Sequence, residues 1–168
     1  MSSDKSPEVT GAQGGALLAI VRVRSGINRS RETLDALKVL RLERVHSAVL
    51  LRSSPSLDGQ TMRIKDVACW GPIEKETLIK LLVKRGRLVG DRRLSESELK
   101  RRAGYSSVEA LAEDLLLNKV DLADVKGLKP FFRLMPRGLR ASRKRAGSDR
   151  GLLGDLGKGI NEVLMKML

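Results

Sequence analysis

Apolar positions along this chain change period several times, and each change marks an element boundary. Residues 16–24 begin apolar and then alternate, with Ala19, Val21 and Val23 set against Ile20, Arg22 and Arg24. That pattern predicts a strand, half buried at its far end. Residues 30–42 carry Leu34, Leu37 and Leu40 at helical spacing. Residues 45–51 are again apolar and β-branched, so they predict a second strand. Strand, helix and strand in this order predict a right-handed crossover between parallel strands. Pro55, Asp58 and Gly59 mark residues 53–59 as a loop. A short helix is expected over 62–68, then a short strand over 68–70, stopped by Gly71-Pro72.

The second half is more helical. Residues 74–84 place Leu78, Leu81 and Leu82 on one side, with the basic end at the C-terminus, as the helix dipole favours. Ser95 with Glu98, and Ser106 with Glu109, form capping-box patterns. The second opens the clearest helix, built on Val108, Leu111, Ala112, Leu115 and Leu116. Residues 131–135 predict a short strand closed by Pro136. A basic, glycine-rich stretch over 137–159 leads to a last helix on Ile160, Val163, Leu164 and Met167. Residues 1–15 are polar and read as a flexible N-terminal tail.

Composition narrows the chemistry. The 168 residues are 41% hydrophobic, enough for a core, yet they contain one His and one Cys. No Cys/His zinc site can be composed from His46 and Cys69 alone, and no disulfide can close within the chain, which suits a reducing compartment. A nucleophile-His pair would have to use His46, which lies inside an apolar run. His46 is therefore expected to be structural, and Cys69 and Trp70 to pack. No apolar run approaches the ~18–20 residues that span a bilayer. The four aromatics are Trp70, Tyr105, Phe131 and Phe132. That is too few for a sheet that binds single strands by stacking successive bases.

Charge points to a partner. There are 33 Lys and Arg against 20 Asp and Glu, a net charge of +13. A surplus of this size repels itself in the free protein and calls for a polyanion. It is also grouped. Residues 22–52 carry +5, residues 80–102 carry +6 and residues 126–150 carry +8, while residues 106–125 carry −4. Arg outnumbers Lys by 20 to 13. Guanidinium forks grip phosphate bidentately and stack on bases, which suits structured RNA.

One motif fails. Residues 151–159 resemble a phosphate loop, but Leu152 stands where the Walker pattern needs its first glycine, and Gly159 replaces the magnesium-binding Ser/Thr. The stretch reads as a flexible joint into the last helix, whose free N–H groups with Lys158 can hold one phosphate. No set of residues composes a catalytic site, so no enzyme and no cofactor are expected.

Taken in order, the segments resemble a known family. They run Ala-Ile-Val-Arg-Val-Arg-Ser-Gly (19–26), Glu32-Thr33-Leu34, Leu40-Arg41-Leu42, Leu57-Asp58-Gly59-Gln60-Thr61-Met62 and Val67-Ala68-Cys69-Trp70-Gly71. Leu82-Val83-Lys84-Arg85-Gly86-Arg87, Phe132-Arg133-Leu134-Met135-Pro136, Gly151-Leu152-Leu153-Gly154, Ile160-Asn161 and Met165-Lys166-Met167-Leu168 follow. The chain is similar over residues 16–168 to the family-thirty proteins of the large ribosomal subunit (protein seven in eukaryotes), in their long archaeal form. It departs from the family at Pro136-Arg137-Gly138-Leu139, where a Pro-Pro and paired glycines are common. The resemblance implies an α+β fold: a ferredoxin-like β-α-β-α-β core over 16–72, with an antiparallel-containing sheet. It also implies an extension over 73–168 that adds helices, one strand and a basic loop (137–158), packed on the core as one unit. It implies a structural constituent of the ribosome, cytoplasmic and ribosome-bound. The partners would be large-subunit ribosomal RNA, 5S ribosomal RNA and neighbouring ribosomal proteins.

The expected RNA-binding residues are Arg22, Arg24, Arg29, Arg31 and Arg52 around one edge of the core, with Lys84, Arg85 and Arg87 nearby. Arg133, Arg137, Arg140, Arg143, Lys144 and Arg145 would line a segment inserted among RNA backbones, and Lys158 would meet a phosphate at the last helix. The rival readings are an assembly factor that leaves the mature particle and an architectural DNA-binding protein. No membrane and no small-molecule substrate are expected.

Overall fold

The computed structural model describes residues 15–136, 142–146 and 151–168. The described elements, in chain order, are β1 (Leu17–Arg22), α1 (Arg31–Val39), β2 (Ser47–Arg52), α2 (Pro55–Ile64), β3 (Ala68–Pro72), α3 (Lys75–Arg85), α4 (Glu96–Ala103), α5 (Val108–Leu116), β4 (Phe131–Arg133), β5 (Ser142–Ala146), β6 (Gly151–Asp155) and α6 (Gly159–Met167). The strands form one six-stranded sheet in the order β4-β2-β1-β3-β6-β5. The fold is mixed α+β, with the expected β-α-β-α-β order over its first half.

β1 and β2 are antiparallel, with Leu17 opposite Arg52 and Val21 opposite Ala48. The parallel crossover read from the sequence is therefore wrong, for a physical reason. The turn after α1 is tied back to the end of β1. The Arg22 guanidinium donates to the carbonyls of Leu42 (2.8 Å) and Glu43 (2.5 Å), and the His46 N–H donates to the Arg22 carbonyl (2.8 Å). β2 thus starts where β1 ends and must run back. His46 makes the corner at φ +63°, in the left-handed region, just before the strand.

The two faces hold two clusters. Leu17, Ala19, Val21, Ala48, Leu50, Cys69 and Phe132 point to α3, α5 and α6, meeting Leu78, Leu82, Leu111, Leu115, Ile160 and Leu164. Ile20, Val49, Ala68 and Trp70 point to α1 and α2, meeting Leu37, Leu40, Leu57 and Ile64. Cys69 is fully buried, and burial pushes its thiol up to about 12. Because thiolate is the reactive form, a disulfide reagent at mildly alkaline pH is expected to leave the folded chain untouched. It should titrate one thiol only after denaturant is added. Fast reaction of the native chain would contradict this burial.

Several boundaries differ from expectation. Residues 53–59 are no loop: α2 begins at Pro55, and the Leu57 N–H donates to the Ser54 hydroxyl (3.2 Å). Proline belongs at the first helical position because its missing N–H would have no partner there. The cap of α5 is Ser107, which accepts from the Ala110 N–H (3.2 Å), so Ser106 is one residue early. Residues 151–155 are no joint either. They form β6, parallel to β3, with Leu152 and Leu153 buried. The turn that follows approaches β3 so closely that a Cβ on Gly71 would sit 2.1 Å from the Gly157 carbonyl oxygen. The extension adds three strands rather than one. β4 joins the outer edge of β2, β6 joins β3 and β5 joins β6. Of the expected basic loop, residues 142–146 are β5, while 137–141 and 147–150 lie outside the described residues, as does the N-terminal tail up to residue 14.

Candidate nucleic-acid interface

The expected RNA-binding residues divide according to what their charges already hold. Arg22 is not presented at the surface. It is 7% exposed, its Nη1 serves two carbonyls and its Nε donates to the Arg24 carbonyl (3.0 Å). Burial lowers its pKa from the ordinary guanidinium value, yet arginine stays charged. Arg52 is also engaged within the fold. It donates to Asp121, to the Asn118 side chain and to the Val120 carbonyl (2.7 Å), pinning the segment after α5 to the end of β2. Arg85 donates to the Leu168 carbonyl at 2.8 Å. These three hold the chain together.

Others are partly engaged. Arg29 faces Asp66 at 3.5 Å, Arg24 donates to the Asp66 carbonyl at 3.4 Å, and Arg31 lies 3.9 Å from Asp35 with its side chain almost wholly in solvent. Exposed pairs of this kind are worth little and exchange readily for phosphate. Lys84 is exposed near the end of α3. Lys158 is exposed just before α6, on the β6 half of the sheet and far from β4. Arg143, Lys144 and Arg145 lie on β5, the opposite edge strand from β4; Arg137 and Arg140 lie outside the described residues.

The remaining expected residues, Arg87 and Arg133, lie at β4 with further cations around them. The outer edge of β4 is the rim of the sheet, and two clefts adjoin there, sharing Phe131 and Arg133. One, about 340 Å³, is lined by Arg41, Glu43, Arg44, Ser47, Phe131 and Arg133. The other, about 120 Å³, is lined by Arg85, Arg87, Asp91, Lys129, Phe131 and Arg133. Among the described residues no ion pair is made by Arg41, Arg44, Arg87 or Arg133. Asp91 is the acid of the smaller cleft. Its carboxylate accepts from Lys129 Nζ (2.9 Å), and that bond, aided by Arg87 and Arg133, holds it below the usual carboxylate range.

The three basic segments of the sequence thus meet in space. Arg41 and Arg44 come from the first, Arg85 and Arg87 from the second, and Lys129 and Arg133 from the third. Pairing of β4 with β2 sets Arg133 opposite Ser47, beside the 41–46 turn. Arg41, Arg44, Lys129 and Phe131 were not among the expected site residues. Arg41 was read as part of a helix through residue 42, whereas α1 ends at Val39 and Arg41 turns out at φ +56°. The acidic residues near α5 are largely neutralised nearby: Glu113 accepts from Lys75 at 2.6 Å, Asp114 lies 3.2 Å from Lys119, and Asp121 holds Arg52.

Other chemistry finds little support in the described residues. No group of three His, Cys, Asp or Glu is placed to hold a metal ion, and no helix is long and apolar enough to cross a membrane.

Comparison with known proteins agrees with this architecture. Residues 18–67 match the family model described as ribosomal protein L30p/L7e. The large ribosomal subunit protein uL30 of Thermofilum pendens is 43% identical over 156 residues, covering 91% of this chain and 99% of that protein. The uL30 proteins of Methanococcus vannielii (40% identical, 89% and 98% covered) and Archaeoglobus fulgidus (36%, 90% and 99%) are also similar to it. All three sources are archaeal, and the match runs through the extension as well as the core. With this identity along nearly the whole chain, the protein belongs to the uL30 family of large ribosomal subunit proteins.

Proposed function

We propose that this constituent of the large subunit binds ribosomal RNA through Arg and Lys contacts to phosphate, and so stabilises the RNA fold in the cytoplasmic ribosome. The observation that carries the reading is the meeting of three separate basic segments along the β4 edge. Phosphate contacts fix position, and RNA shape supplies specificity, because stacking residues are scarce. Arg24, Arg29, Arg31 and Lys84 extend the contact beyond the cleft, Lys158 adds a separate contact on the β6 half of the sheet, and 5S ribosomal RNA and adjoining ribosomal proteins are its further partners. Arg137, Arg140, Arg143, Lys144 and Arg145 act in the same way. Along the sequence, residues 126–150 hold nine Lys and Arg against Asp149 alone.

Changing Arg140, Arg143 and Arg145 together to Ala is expected to weaken rRNA binding while leaving the melting temperature in place. Equal binding at physiological salt would overturn that assignment. The broader reading is tested by sedimenting a lysate through sucrose at moderate and high salt. Co-sedimentation with the large subunit that survives high salt is expected, as many fitted contacts require. Residence only in lighter precursor fractions would mark an assembly factor instead.

A further inference from the structure

We infer that the larger cleft beside β4 takes a single unstacked RNA nucleotide, its base laid on Phe131 and its phosphate held by Arg44 and Arg133. This rests on the rRNA-binding reading and deepens it. Four observations carry it. Phe131 is half-buried: it packs against the cluster under α1, yet also lines both clefts, so part of the ring is open. Its neighbour Phe132 is fully buried on the other face, as strand alternation requires, and anchors the platform. Arg41, Arg44 and Arg133 line the same cleft as Phe131 and make no ion pair among the described residues, which offers phosphate three guanidinium groups. Finally, the cleft volume, about 340 Å³, falls at the small end of ordinary ligand sites, roughly 300–1,000 Å³.

Glu43 refines the occupant. A lone carboxylate in a cationic cleft disfavours bare phosphate but accepts from an exocyclic amine or a ribose 2′-hydroxyl. An RNA nucleotide offers both anion and donor. The wall that carries Glu43 is fixed from inside, because its carbonyl accepts from the buried Arg22. Sequence-tolerant stacking on an aromatic ring then adds affinity without adding charge.

The test uses the full chain bound to transcribed large-subunit rRNA. After irradiation at 254 nm, mass spectrometry is expected to find a nucleotide attached to Phe131. Phe131→Leu is expected to weaken binding roughly ten-fold or more with the salt slope unchanged, since stacking and not charge is lost. Phe131→Tyr should bind like the parent, and it guards against a misfolded leucine variant. Equal affinity of the leucine variant and the parent would overturn the nucleotide site while leaving rRNA binding intact. Failure of the parent chain to bind rRNA would overturn both. A crosslink from Phe131 to another ribosomal protein in the assembled subunit, with no nucleotide attached, would assign the cleft to a protein neighbour and overturn it too.

Discussion

Changing Arg41, Arg44 and Arg133 together to Gln should lower the salt slope of rRNA binding by ~2–3, one counterion contact for each charge removed. The three guanidinium groups come from two distant segments and share one cleft. Glutamine is shorter than arginine but stays polar, and a change in salt slope reports the charge removed rather than the lost reach. The affinity gap between variant and parent should widen as salt is lowered, because released counterions drive the contact. Stability should hold, since all three side chains are exposed and make no ion pair among the described residues. Filter binding across a salt series with a parallel urea titration reads both quantities. An unchanged slope would place the phosphates elsewhere on the molecule.

Replacing Phe132 with Ala should cost about 3–5 kcal/mol, the usual loss for a buried phenylalanine. Phe132 is fully buried and fills the space between the sheet and the α3/α5 layer. β4 has only three residues, paired to Ser47, Ala48 and Val49. So short an edge strand depends on its one core side chain more than on its ladder. At about 2–4 °C per kcal/mol for a chain of this size, the melting temperature should fall by roughly 6–20 °C. The rRNA affinity should fall as well, because Phe131 and Arg133 are carried on the same strand. A melting point near that of the parent would mean that β4 is held by something other than this ring.

The sequence made the number and order of core elements legible, because apolar runs and serine caps report local structure directly. Ser30 and Ser95 cap the helices that the pattern predicted there. Strand direction was not legible, since it depends on where the 40–46 turn is tied, and that tie is a side chain reaching back to backbone. Pro55 read as a breaker because proline both stops and starts helices, and only its position in the first turn decides. The site was partly legible. The three basic segments were visible, but an arginine looks the same in sequence whether it faces solvent, as Arg44 does, or is spent inside, as Arg22 and Arg52 are. Phe131 read simply as strand, and its second role arises from the cleft around it.

Closure of the sheet also has a consequence for how the chain reaches this state. β1, β2 and β3 are neighbours in sequence, but both edges of that triplet are covered by strands roughly eighty residues away: β4 on β2, and β6 on β3. Such distant pairing carries a large loop-closure cost before it returns any stability, so folding should be slow for a chain of this size. Until residues 151–168 are made, β3 has an open edge and the α3 face lacks its cover from α6. A nascent chain halted before that point would display an unpaired strand beside apolar surface, the combination that invites aggregation. Synthesis of this protein thus passes through a window in which it depends on prompt completion or on a holding partner.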